Sequence, residues 1–152
     1  MKITLITVGK IKEKYLKDAI EEYTKRINKY DKIEIIEVKD EGMVEPVKAI
    51  NLEAEKIKKH INPKDYIITM DINGKQITSE EFSNKIDSIY LETSNITFII
   101  GGSYGLSDEI KQMSNYRLSF SKMTFPHQLF RVILLEQIYR AFKISHNESY
   151  HK

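Results

Sequence analysis

The run Ile96-Thr97-Phe98-Ile99-Ile100-Gly101-Gly102-Ser103-Tyr104-Gly105 decides the fold of this chain. Its first five residues are almost all β-branched or aromatic and read as a buried strand. The glycines that follow end the strand and let a turn form close against neighbouring backbone. Ser107-Asp108-Glu109 then supplies an N-cap residue and two first-turn acids for a short helix. Tyr116 to Ser121 reads as a fifth strand and Ser119 to His127 as a polar loop, and Pro126 opens a long helix that runs to Phe142. Two loops therefore leave the C-terminal ends of two apolar strands, the edge where open α/β sheets hold ligands.

The upstream chain repeats the same alternation. Lys2 to Val8 is a strand that ends at Gly9. From Lys12 to Tyr30 the residues Tyr15, Leu16, Ala19, Ile20, Tyr23 and Ile27 fall at three- and four-residue spacing, which predicts an amphipathic helix. Ile33 to Val38 is a second strand, and Pro46 to Ile61 a second helix. Asp65 to Asp71 is a third strand, closed by an Asn73-Gly74 turn. Thr78-Ser79-Glu80-Glu81 fits a capping box, and the helix it opens carries Phe82, Ile86, Ile89 and Tyr90 on one face. No repeat, low-complexity tract or linker interrupts the chain. The expectation is one α/β domain over residues 1–152, with a mostly parallel sheet flanked by helices.

Composition narrows the functional classes. The 152 residues contain no cysteine, which excludes a disulfide scaffold, a thiolate zinc site and a cysteine nucleophile. His146 and His151 sit in a polar tail without a matching carboxylate pattern, and there is no H-E-x-x-H, so no metal is expected. No signal-peptide core and no stretch near the ~20 apolar residues of a membrane span is present. A soluble cytoplasmic protein is expected, with no membrane partner. The net charge of +2 argues against a strongly basic nucleic-acid binder. Residues 116–152 nevertheless hold six Lys or Arg against two acids, a net of +4. That suits a local anionic partner, although ordinary scatter accounts for it equally well.

The last helix carries Leu129, Phe130, Val132, Ile133, Leu134, Leu135, Ile138, Tyr139, Ala141 and Phe142, which cover nearly its whole circumference. Such a helix must be buried on more than one side. Either other helices of the same chain overlie it, or a second copy does; a homodimer is expected. Glu136 and Arg140, four apart on this apolar helix, should face each other or a polar site. The Gly101–Gly105 turn is neither a dinucleotide fingerprint nor a P-loop, and a plain structural turn explains it as well. In the second loop, backbone groups could grip an adenine-like ring, with Met123 and Phe125 as apolar walls. A lone histidine such as His127 in a helix's first turn is more often a structural hydrogen-bonding group than a catalyst.

Taken together, Ile99-Ile100-Gly101-Gly102, Leu118 through His127, Arg131, Glu136-Gln137-Ile138-Tyr139-Arg140-Ala141 and the closing Tyr150-His151-Lys152 resemble the RlmH family. These are SPOUT-class methyltransferases acting on N3 of a pseudouridine in large-subunit (23S) ribosomal RNA. The resemblance spans the chain, and its C-terminal motifs are the specific ones. It implies an α/β knot fold with a C-terminal trefoil knot over about residues 96–143, against the general rule that chains do not thread loops. It implies a homodimer and the ribosome as partner. S-adenosylmethionine would be held by Met70, Gly101, Gly102, Phe120, Ser121, Lys122, Met123, Thr124 and Phe125. His127, Glu136, Arg140, Tyr150 and His151 would form the target-base site, the tail of one subunit closing over the cofactor of the other. Arg140 would stabilise the uridine anion, and His151 or Glu136 would accept the proton. Two other readings stay open: a non-catalytic ribosome- or RNA-associated dimer with a vestigial pocket, and an enzyme using a different adenine nucleotide.

Overall fold

The computed structural model describes the whole chain, Met1–Lys152. Strands β1 (Lys2–Val8), β2 (Lys32–Val38), β3 (Tyr66–Gln76), β4 (Asn95–Ile100) and β5 (Tyr116–Ser119) alternate with helices α1 (Lys14–Ile27), α2 (Pro46–Lys58), α3 (Ser79–Tyr90), α4 (Asp108–Met113) and α5 (His127–Ser145). The strands build one sheet in the order β2-β1-β4-β3-β5, with every pairing parallel. The α/β expectation holds, and the sheet is wholly rather than mostly parallel.

Helices cover both faces of the sheet. Ile3, Leu5, Ile68, Ile96 and Phe98 pack with α1, α3 and α5, whereas Ile6, Val8, Ile67 and Ile99 pack with α2 and α4. Adjacent residues of one strand thus feed opposite cores. A strand buried on both sides has no water-facing side to keep polar, and this is why β1 and β4 read as near-continuous apolar runs.

Local chemistry sets several boundaries. The Thr78 capping box is complete: Thr78 Oγ1 accepts from the Glu81 N–H at 3.1 Å and Glu81 Oε1 accepts from the Thr78 N–H at 3.0 Å. The Glu45 side chain caps α2 by accepting from the Lys48 N–H at 2.8 Å, with Pro46 in the first turn. Ser107 caps α4 in the same way, accepting from Ile110 at 3.2 Å. Helix α1 begins two residues later than its periodicity predicts, and α2 ends at Lys58 rather than Ile61.

The predicted Asn73-Gly74 turn is not the end of β3. The strand continues to Gln76 through an irregularity in its pairing with β5, where both Met70 and Lys75 lie opposite Leu118. Residues 71–74 bulge out of the ladder, held by the Asp71 carboxylate accepting from the Asn73 N–H at 3.0 Å. Gly74 lies so close to β5 that a Cβ there would be 2.7 Å from the Arg117 carbonyl. The glycine permits close strand approach rather than a reversal.

Helix α5 packs between α1 and α3. Leu134, Leu135, Ile138, Tyr139, Ala141 and Phe142 are buried in the larger core. Its N-terminal half is less covered: Leu129 is 40% exposed, and Val132 and Ile133 are half-buried. The chain's own helices therefore account for the apolar C-terminal half of α5 and leave an apolar stripe open nearer its start.

Candidate active site

The site assembles at the C-terminal edge of the sheet, where β4, β3 and β5 release their loops. After β4 the chain turns back on itself: the Gly105 N–H donates to the Gly102 carbonyl at 3.0 Å, and Gly105 takes φ +81°. A Cβ on Gly101 would sit 2.6 Å from the Gly105 backbone, so no larger residue fits without opening the turn. After β5, Ser119 Oγ donates to the Ser121 carbonyl at 3.0 Å, and Ser121 Oγ accepts from the Met123 N–H at 3.0 Å. These bonds fold the loop over the strand ends.

Both loops and the β3 bulge enclose a cavity of about 170 Å³. Of the residues expected to bind a cofactor, Met70, Gly101, Gly102, Phe120, Ser121, Met123, Thr124 and Phe125 line it. Lys122 is exposed and is not part of the wall. Asp71 and Ile72 enter the cavity because β3 bulges where the sequence predicts a turn. Ile100, Gly105, Leu118, Ser119 and Phe130 complete the lining. Phe130 stacks obliquely against Phe120 and Phe125, with ring centroids at 5.2 and 6.0 Å, so α5 contributes an aromatic wall. Apolar sides with a rim of serine, threonine and carboxylate groups suit a flat heteroaromatic ring carrying polar edges, such as adenine.

His127, the first residue of α5, is half-buried and borders this cavity. Burial pushes its pKa below the ordinary 6.5, Arg131 adds to the depression, and Asp40 opposes it. The ring is therefore neutral at pH 7. Arg131 lies one turn along the helix and is only 1% exposed. Its Nη1 donates to Glu37 Oε2 at 2.6 Å and its Nη2 to the Gly9 carbonyl at 3.2 Å, which ties α5 to the ends of β1 and β2.

The other four residues expected at the target base form a separate cluster. Arg140 donates to Glu136 through Nε at 3.1 Å and Nη2 at 2.6 Å. The Tyr150 hydroxyl donates to Glu136 Oε1 at 3.1 Å, and Arg140 lies over the Tyr150 ring at 4.7 Å. Arg140 Nη1 and His151 Nδ1 are 3.1 Å apart, and His151 Nε2 is 2.6 Å from Glu80 Oε1. A guanidinium only donates, so Nδ1 accepts and Nε2 carries the proton toward Glu80. Glu136 holds Arg140 firmly charged, its hydrogen bonds raising the guanidinium pKa above normal. His127 is not among this group. Glu136 lies nine positions further along the helix, roughly 14 Å of rise at 1.5 Å per residue. The structure assembles Glu136, Arg140, Tyr150 and His151 and keeps them away from His127 and the cavity.

No group of three or more His, Cys, Asp or Glu is arranged to hold a metal ion. No helix is long and apolar enough to cross a membrane.

A family model described as "Predicted SPOUT methyltransferase" matches residues 1–151. Proteins named ribosomal RNA large subunit methyltransferase H from Clostridium acetobutylicum, Bifidobacterium adolescentis and Clostridium botulinum are 57%, 56% and 55% identical to this chain, each over the full length of both chains. Among solved structures, a "probable methylase family protein" from Haemophilus influenzae Rd KW20 superposes with a TM-score of 0.54 at 16% identity, covering 99% of this chain and 70% of that one. That likeness concerns the fold alone.

Proposed function

The chain belongs to the SPOUT methyltransferase family, and from that membership we propose that it is a cytoplasmic rRNA methyltransferase. It transfers the methyl group of S-adenosylmethionine to N3 of a pseudouridine in large-subunit rRNA of the assembled ribosome. The observation that carries this reading is the cavity between the loops after β4 and β5, walled by Met70, Phe120, Met123, Phe125 and Phe130 and rimmed with polar groups, in a chain whose full-length relatives bear an rRNA methyltransferase name.

When bound, S-adenosylmethionine supplies a methyl group on a sulfonium, open to in-line displacement. The chain's own residues do the rest. The apolar walls exclude water, and the rigid glycine turn and serine-braced loop fix orientation, which is the main requirement of such a transfer. Lys122 stands at the outside of the loop. The acceptor N3 loses a proton, and Arg140 is the group placed to stabilise the resulting anion. Of its five N–H groups, three are engaged by Glu136 and His151, leaving two for substrate. Glu136 already accepts from Arg140, Tyr150 and Gln137, so it orients Arg140 and Tyr150 rather than acting as the free base. His127, neutral and at the mouth of the cavity, has a lone pair for a proton.

The separation of the two clusters supports a homodimer. The open stripe of Leu129, Val132 and Ile133 lies on α5 between them. Pairing two copies along this stripe covers it and carries the Arg140 cluster and tail of one subunit to the cavity of the other. The trefoil knot over about residues 96–143 belongs to the same reading. Mass mapping of large-subunit rRNA, after incubating 70S ribosomes with the protein and S-adenosylmethionine, tests the function. A gain of one methyl group on a pseudouridine is expected. Unchanged rRNA mass, despite binding of the methyl donor in calorimetry, would leave the protein without its proposed activity.

A further inference from the structure

We propose that a second, polar cavity beside the methyl-donor cavity seats the phosphodiester backbone of the RNA substrate, gripped by Lys10, Lys12 and Lys39. The inference rests on the methyltransferase reading above and adds the place where the polymer is held. The cavity measures about 640 Å³ and lies over the C-terminal ends of β1 and β2, between the loops 9–13 and 39–45. His127 belongs to its wall and to the wall of the methyl-donor cavity. A strand lying in this basin has its attached base within reach of the transfer site, as an enzyme that works on an extruded base requires.

Charge within the basin is unevenly satisfied. Lys10, Lys12 and Lys39 are exposed, and none has a carboxylate partner within ion-pair distance. The two acids of the wall are already engaged. Glu37 accepts from Arg131 at 2.6 Å and from the Ile11 N–H at 3.3 Å, and Asp40 accepts from the Gly42 N–H at 2.6 Å. In the C-terminal segment Arg131, Arg140 and Lys143 are each paired with a glutamate, whereas Arg117, Lys122 and Lys152 are exposed and without a carboxylate partner. What sets Lys10, Lys12 and Lys39 apart from the other exposed lysines is that all three line one cavity together with His127. Mobile lysine ammonium groups around a roomy cavity suit phosphates, which position a nucleic acid without reading its sequence.

The test compares the full-length wild type with the triple variant Lys10→Ala/Lys12→Ala/Lys39→Ala in steady-state methylation of ribosomes at several salt concentrations. A control variant, Lys25→Ala/Lys29→Ala/Lys32→Ala, removes the same charge from exposed positions at the opposite end of the sheet. The basin variant is expected to raise KM for ribosomes roughly 10- to 100-fold and to shallow the salt dependence by about 2 in log–log slope. Its kcat and its calorimetric affinity for S-adenosylmethionine should stay near wild type, and the control should match wild type throughout. An unchanged KM and salt slope in the basin variant, or an equal change in the control, overturns the inference while leaving the methyltransferase reading intact. A wild type that does not methylate ribosomes overturns both.

Discussion

Two arginines of α5 pair with glutamates, Arg131 with one on β2 and Arg140 with one on α5 itself, and the burial of the guanidinium separates their roles. Arg131 is 1% exposed and reaches across 94 residues of sequence to Glu37. Arg140 pairs with Glu136 one turn away, and the two side chains keep 24% and 19% of their surface. The first guanidinium is used up inside the protein, with even its Nε left unpartnered. The second is oriented by its glutamate, by Tyr150 and by His151, and keeps N–H groups to spare. A guanidinium sealed from water serves the architecture, because any rearrangement strands its charge, even though its partner Glu37 keeps 39% of its surface. A pair left at the surface can turn its charge toward a substrate.

Removing each arginine sharpens this contrast. Arg131→Ala leaves Glu37 and the Gly9 carbonyl without their donor and empties a packed site. Urea unfolding should show a loss of about 2 kcal/mol or more, from the emptied site and the orphaned carbonyl, and a stability close to wild type would show that the pair is not structural. Arg140→Ala should move stability by less than about 1 kcal/mol. In contrast, its rate of ribosome methylation should fall on the order of 100- to 1,000-fold, with the methyl-donor affinity retained. Were the two variants to exchange phenotypes, the division between the ends of α5 would be wrong.

A smaller effect comes from His127, next to the buried pair. Its pKa in the folded protein is below 6.5 because the ring is buried beside Arg131. The unfolded chain therefore binds this proton more readily than the folded one. Its contribution to stability is intact above pH 6.5 and declines as pH falls from there toward the lowered folded value. Replacing His127 with Gln should flatten that part of the stability-against-pH curve, measured by urea midpoints at half-unit intervals. A wild-type slope in the variant would assign the pH dependence to other groups.

The candidate site was partly legible before folding because much of it is local. The glycine turn after β4, the loop after β5 and the i, i+4 pair Glu136–Arg140 each announce themselves within ten residues of chain, and eight of the nine residues expected around the cofactor do line one cavity. The ninth, Lys122, extends along the same loop but turns outward. Asp71 and Ile72 escaped notice because Asn73-Gly74 has the composition of a turn, and only contact with Arg117 on β5 makes it a bulge. Nor does a residue list tell that His127 and Arg140, thirteen positions apart on one helix, belong to different ends of the molecule.

The sequence alone determined the alternation of elements, the caps of α3 and α4, the burial of β4, and the two loops that meet at the strand ends. Those features depend on side-chain periodicity and on hydrogen bonds spanning a few residues. Tertiary structure alone decided that Arg131 meets Glu37, that β3 bulges into the cavity, and that Lys10, Lys12 and Lys39 line one polar cavity with His127. Such outcomes depend on which distant segments share a sheet edge, because an ion pair or a cavity wall is set by proximity in space, which one-dimensional spacing does not encode.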